Sequence, residues 1–198
     1  TGGALNASPT VIPGTICVGE TVRLNANASG GSGTYTYSWT SVPSGFTSAL
    51  SQPEANPAVS TIYNVAVNDG FSTVNAQVSV IVNPVPARPV ITASGPATFC
   101  TGGSVTLTSS SGSSYLWSTG ATTQSINVTA AGSYAVRVTS EEGCLSPLSD
   151  PVNVTVNPLP AAPTITASGP VSFCAGGSVT LTSSSGSSYL WSTGATTQ

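Results

Sequence analysis

The sequence predicts an all-β protein built as a beads-on-a-string array of small Greek-key β-sandwiches. Three observations carry this expectation. Residues 91–124 return almost unchanged at 165–198, a shift of 74 positions with differences only at Ala97/Val171, Thr98/Ser172 and Thr101/Ala175. Self-similarity at a fixed period marks a repeat architecture. Apolar and polar residues alternate in stretch after stretch, the pattern of strands with one buried face, and no stretch has a helical period. Proline-rich segments, NPVPARP at 83–89 and NPLPAAP at 157–163, punctuate the repeats. Alternate prolines hold a chain near polyproline II and remove backbone donors, so these segments read as stiff spacers. The expected units are 1–85, 86–159 and the N-terminal part of a third over 160–198. Because the third copy stops at Gln198, where the second unit runs on, the sequence is expected to be a piece of a longer polymer.

Within the first unit, Pro9 and Pro13 restrict the opening residues to an edge strand. Val22, Leu24 and Ala26 then alternate with Thr21, Arg23 and Asn25 as a half-buried strand. GGSG at 30–33 is a turn, after which Tyr35, Tyr37 and Trp39 share one face against Thr36 and Ser38. A loop rich in Pro, Ser and Gly covers 41–57. Tyr63, Val65 and Val67 form the next inward row, Asp69-Gly70 turns the chain, and Val74, Ala76, Val78, Val80 and Val82 close the unit. The second unit reads as strands at 89–93, 104–109, 114–118, 124–129, 133–140 and 150–156. Its inward residues are Val105 and Leu107, Tyr115 and Trp117, Ile126 and Val128, Tyr134, Val136 and Val138, then Val152, Val154 and Val156. The expected core anchors are Trp39, Tyr63, Trp117, Tyr134 and Trp191. Strand alternation makes the aromatic rows core, in preference to a platform on which sugars stack.

Composition narrows the function. Charged residues are 5% of the chain, histidine and lysine are absent, and Arg23, Arg88 and Arg137 are the only cationic side chains. Nucleic-acid binding needs a basic face to neutralise phosphates, so it is excluded as a partner class. A hydrophobic content of 39% in clean alternation argues for packed strands against disorder. No run approaches the roughly 18 apolar residues of a membrane span, so none is expected in these residues. Without histidine there is no Ser-His-Asp or Cys-His pair and no imidazole ligand for zinc. Cysteines at 17, 100, 144 and 174 lack zinc-site spacing. Glu141 and Glu142 are adjacent in the turn SEEGC, where neighbours point apart; they read as a solvated turn, with a weak calcium contact as the alternative. Glycine runs at 30–33 and 102–103 lack the Lys and following helix of a phosphate loop. No catalytic residue, cofactor or metal is expected.

The blocks CTGGSVTLT (100–108), YLWSTGATTQSINV (115–128) and GSYAVRVTSEEGC (132–144) resemble the immunoglobulin-like repeats of very large surface proteins of Bacteroidetes. Mobile adhesins of gliding bacteria, exported by type IX secretion, belong to that group. Residues 5–83, with TYTYSWTS and STIYNVAVNDG, are similar to the PKD-like units of the same proteins, although SVPSGF follows Trp39 in place of their Gly-Asp-Gly turn. The resemblance implies immunoglobulin-like sandwiches on the cell surface, associated with the outer membrane. It also implies a non-enzymatic stalk of a secreted adhesin, with gliding motility as its setting. Its partners would be neighbouring repeats of the same chain, surface polysaccharide or other cell-surface proteins. The alternatives are an array of carbohydrate-binding modules and accessory domains of a secreted hydrolase.

In such a sandwich Cys100 precedes the second strand and Cys144 follows the penultimate one, which is expected to bring both to one end as a disulfide. Cys174, the copy of Cys100, would find its partner at position 218 and is expected to be unpaired. Cys17 is expected to be unpaired as a small buried thiol, with an inter-unit or inter-chain bridge as the alternative. Disulfide use implies an oxidising, extracytoplasmic location.

Overall fold

The computed structural model describes residues 3–198, and among them there is no helix. The first unit has ten strands: β1 (Asn6–Ala7), β2 (Thr10–Ile12), β3 (Thr15–Cys17), β4 (Val22–Asn25), β5 (Ala28–Ser29), β6 (Thr36–Val42), β7 (Thr47–Ser48), β8 (Glu54–Ala55), β9 (Thr61–Asn68) and β10 (Thr73–Asn83). One sheet runs in the order β3-β10-β9-β6-β7 and another in the order β2-β4-β8, while β1 and β5 pair on their own. Alternation puts one row of each strand inside. Val22 and Leu24 of β4, and Tyr63, Val65 and Val67 of β9, are buried together with Trp39 and Val80 in one cluster. Burying each such aliphatic or aromatic side chain contributes about 1.5–3 kcal/mol, which offsets the cost of ordering so short a domain. Trp39 is 1% exposed and donates its indole N–H to the Leu50 carbonyl at 2.9 Å, so burial leaves no orphan donor.

The second unit contains β11 (Ile91–Ala93), β12 (Thr98–Cys100), β13 (Val105–Ser109), β14 (Ser114–Trp117), β15 (Ser125–Val128), β16 (Gly132–Tyr134), β17 (Val136–Thr139) and β18 (Val152–Asn157). The sheet β11-β13-β15 packs its apolar row against β12-β18-β16 and the pair β14-β17. β16 and β17 are two lengths of one extended segment that changes partner at Ala135, from β18 to β14. Trp117, 2% exposed, donates to the Thr123 carbonyl at 2.8 Å. Tyr134 is half-buried and its hydroxyl reaches back to the Ala130 carbonyl at 2.9 Å, a tyrosine corner of the kind immunoglobulin-like sandwiches carry. The fold class is all-β immunoglobulin-like β-sandwich.

Both units share a short strand that the alternation does not reveal. β3 lies parallel to the end of β10, with Ile16 opposite Val82 and Cys17 opposite Asn83. β12 lies parallel to the end of β18, with Phe99 opposite Val156 and Cys100 opposite Asn157. Each therefore points the same way as the strand that leaves its unit.

The third unit is a hairpin, β19 (Ile165–Ala167) and β20 (Leu181–Ser183), in the register of β11 and β13. Trp191 repeats the local hydrogen bond of Trp117, donating to the Thr197 carbonyl at 2.7 Å. Packing is not repeated: no residue beyond Val154 is buried. Trp191, expected as a core anchor, stays half-exposed because no counterpart of β17 or β18 faces it. The stretch corresponding to β14 forms no strand for the same reason, since a strand needs a ladder partner for its backbone groups.

The β9–β10 turn is held by Asp69, a buried carboxylate. Its Oδ1 accepts from the Phe71 and Ser72 amides at 3.0 and 2.7 Å, and its Oδ2 accepts from the Ser32 amide at 3.1 Å. It thus ties two turns at one pole of the unit. Gly31, at φ +58°, passes so close to this carboxylate that a Cβ there would collide with it. The amides of Ser72 and Phe71, with Ser32, hold the Asp69 carboxyl below its ordinary value, against the opposing effect of burial.

A depressed folded-state pKa gives stability that is present above the unfolded value and lost as pH falls through the folded one. Asp69→Ala is therefore expected to lower the thermal midpoint of the first unit at neutral pH. The gap from the parent should narrow as pH falls below about 5 and on through the lowered value of the folded carboxyl, as followed by circular dichroism. An undiminished gap in acid would show that the charge of Asp69 is not what holds the turns. In amide exchange, residues 165–198 should lose protection far sooner than 91–124, despite near-identical sequence, because local stability follows buried packing.

Candidate functional site at the junction between units

Cysteine positions are set by strand direction. β13 ends at Ser109, beside Ile91 at the start of the unit, and the next residues continue there: Ser110 N–H donates to the Val90 carbonyl and Ser113 N–H to the Thr139 carbonyl. The ends of β13 and β17 thus share the pole where the chain enters. A residue before β13 and a residue after β17 must then lie at opposite poles. Cys100 ends β12 against Asn157 at the exit pole, and Cys144 sits in the β17–β18 turn at the entrance pole.

The expected Cys100–Cys144 bridge is therefore not formed. Cys144 is bonded to Cys17 of the first unit, across 127 residues of sequence and with Cα atoms 5.6 Å apart. Cys17 is not the unpaired thiol first expected; the inter-unit bridge, the alternative reading, is what the structure shows. Cys100 and Cys174 are both free and exposed.

The junction is built from backbone outward. Cys17 closes β3 at the exit pole of the first unit, where Val18 N–H donates to the Asn83 carbonyl at 3.0 Å and Glu20 accepts the Cys17 amide at 2.8 Å. On the other side, Ser140 organises the turn: its hydroxyl accepts the Cys144 amide at 3.2 Å and its carbonyl accepts the Gly143 amide at 3.1 Å. Gly143, at φ +86°, makes the left-handed step that aims Cys144 back at the first unit. The Cys144 side chain is fully buried, and its Sγ lies 4.0 Å from the Asn83 carbonyl oxygen. Asn83 is the first residue of the proline spacer, so spacer and bridge start from one point.

A shallow groove runs along the spacer, bordered by Pro84, Pro86, Gly112, Val138 and Glu141. Glu141 and Glu142 are exposed on its rim. The Glu142 carboxyl is held below the usual carboxylate range by its own amide and by the Ser140 hydroxyl. Among the described residues no three acidic or cysteine side chains cluster as a metal site. The aromatic rows give no sugar platform: Trp39 and Trp117 are buried and Tyr35, Tyr37 and Tyr115 half-buried, leaving Phe71 and Phe173 as the exposed aromatics, in different units. What this site does is join two units covalently, by sulfur as well as by the spacer.

No protein-family model and no curated protein matches the chain. Solved structures align with the chain at low identity. The three N-terminal domains of the highly immunogenic outer capsid protein (Hoc) of bacteriophage RB49 align with a TM-score of 0.41 at 18% identity, over 84% of this chain and 62% of that one. Murine CEACAM1b aligns at 0.37 and 12% identity, over 76% of this chain and all of that one. The full ectodomain of mouse nectin-like molecule 4 aligns at 0.33 and 15%, over 79% and 66%. The chain thus spans less than two thirds of the Hoc structure it resembles.

In the chain-entropy account, closing so long a loop stabilises by about 5 kcal/mol. Cys144→Ser, or mild reduction, is expected to lower the thermal midpoint of the second unit. It should also broaden the distribution of angles between the first two units, measured by small-angle X-ray scattering.

Proposed function

We propose that the chain is a segment of a non-enzymatic stalk of a large secreted adhesin on a bacterial surface. The observation that carries this reading is the bond between successive units, which makes a spaced array behave as one stiff rod. A rod gains from duplication, because each added repeat extends its reach, whereas a binding site need exist only once. Near-identity of residues 91–124 and 165–198 fits that use. The disulfide fits an oxidising, extracytoplasmic setting. The resemblance of the blocks at 100–108, 115–128 and 132–144 to surface repeats of Bacteroidetes supports gliding adhesins exported by type IX secretion, at the outer membrane, as the setting. A surface of Ser, Thr and Asn with 5% charged residues has few ionic contacts to lose in changing salt.

The test joins shape to ligand screening. Scattering by the oxidised chain should give a maximum dimension that stays constant from low salt to about 1 M, where surface electrostatics are screened to a few ångströms. A panel of soluble polysaccharides should leave amide exchange unchanged across residues 110–113 and across 41–57, expected as a loop but carrying the end of β6 and the short strands β7 and β8. Saturable protection of those residues by one glycan would replace the stalk with a carbohydrate-binding array. Turnover of a glycan or peptide, lost in Glu141→Gln/Glu142→Gln, would overturn the non-enzymatic reading.

A further inference from the structure

Cys17, Cys100 and Cys174 occupy one position of the repeat. Each is followed at two residues by a glycine with positive φ: Gly19 at +95°, Gly102 at +93° and Gly176 at +90°. Each carbonyl accepts from the amide three residues on, from Glu20, Gly103 and Gly177, at 3.1, 2.9 and 3.0 Å. In the first two units the agreement extends across the sheet. Cys17 pairs with Asn83 and Cys100 with Asn157, and the following amides, Val18 and Thr101, donate to those same asparagine carbonyls at 3.0 and 2.8 Å. The two asparagines open the two proline spacers. Cys17 is bonded and Cys100 is exposed, yet their backbone settings match. What differs is the occupant of the exit pole: a folded unit with its β17–β18 turn in one case, an isolated hairpin in the other.

The spacing of a partner for Cys100 follows from the chain itself. Asn83 and Cys144 are 61 residues apart. The same count from Asn157 falls on position 218, as does the repeat shift of 74 applied to Cys144. The two counts are one, because Asn83 and Asn157 themselves stand 74 residues apart: the spacers repeat with the period of residues 91–124.

We propose that the disulfide of this repeat joins each unit to the next, and that Cys100 is the half-bridge for the counterpart of Cys144 in a completed third unit. Formation of the bond removes a proton and an electron from each of the two thiols. Both electrons and both protons pass to a disulfide oxidant, a dithiol–disulfide protein or a small-molecule disulfide, which is reduced to two thiols. Successive bridges then overlap, since Cys100 lies inside the loop closed by Cys17 and Cys144. Every junction of an array would be crossed twice by covalent bonds, once by the spacer and once by sulfur.

The test completes the third unit with the chain's own sequence, appending a copy of residues 125–159 after Gln198 so that its cysteine stands at position 218. The protein is made in an oxidising compartment, titrated with a thiol reagent after unfolding, and mapped by mass spectrometry after non-reducing digestion. The expected result is one free thiol, Cys174, and two bridges, Cys17–Cys144 and Cys100 to position 218. The 198-residue chain should show two free thiols, Cys100 and Cys174. In the extended chain, Cys100→Ser should leave two thiols free, Cys174 and that at 218. A bridge from Cys174 to position 218, a Cys100–Cys174 bridge, or Cys100 still free beside a folded third unit would overturn the proposal. Folding of that unit is read from amide protection of residues 165–198. Should the extension not fold, the 198-residue chain decides: a Cys100–Cys144 peptide in its digest would sink the idea, and Cys17–Cys144 would support it.

Discussion

The structure depends on one constraint of direction. In each of the first two units a three-residue strand lies parallel to the last strand and points out of the exit pole, while in the second unit the turn after β17 points back out of the entrance pole. A cysteine on the first and a cysteine on the second cannot meet within a unit. They meet across a junction, where Cys17 and Cys144 are bonded beside Asn83, the residue that opens the spacer. The sandwich core thus serves the junction as well as its own unit. Trp117 and Val136 hold β14 against β17, and that pairing fixes where the turn carrying Cys144 emerges.

Around this constraint the molecule is economical with polar chemistry. Two exposed ion pairs, Arg23–Glu54 and Arg88–Asp150, engage two of the three cations and contribute little each. Asp69 acts through backbone amides rather than a counter-charge. The three indoles, of Trp39, Trp117 and Trp191, and the phenols of Tyr35 and Tyr134 donate to nearby carbonyls. These bonds are local in sequence, so the isolated hairpin can still form the one at Trp191 while it fails to build the rest of the sandwich.

That contrast between local and distant also governs how much could be read from sequence. Long alternating rows such as Tyr63–Val65–Val67 disclose their strand and its buried face, and the resulting sandwich class is the one observed. Trp117 and Tyr134 disclosed the immunoglobulin-like arrangement through positions relative to those rows. β3 and β12 did not disclose themselves, because three residues are too few to show a period and their partners lie more than fifty residues away. Without β12, Cys100 reads only as a residue ahead of β13, at the same end as Cys144, and the expected intra-unit bridge follows from that placement. A signal was present all the same: TICVGETVRL at 15–24 and TFCTGGSVTL at 98–107 place Cys17 and Cys100 at one repeat position, which sets both apart from Cys144.

The bond at the junction reroutes mechanical load. A pull applied beyond Cys17 on one side and beyond Cys144 on the other travels through sulfur, bypassing residues 18–143 altogether. Those residues include nearly all of the first core and most of the second, so the interior of each sandwich lies off the covalent load path, which keeps, of the two sandwiches, only β1, β2 and β3 up to Cys17 and β18 after Cys144. At full extension the sequence separation of 127 between the cysteines would span roughly 430 Å of contour. That length is hidden while the bond holds and released when it is reduced, so the redox state of one sulfur pair sets whether the segment behaves as a cable of fixed length or as an extensible one.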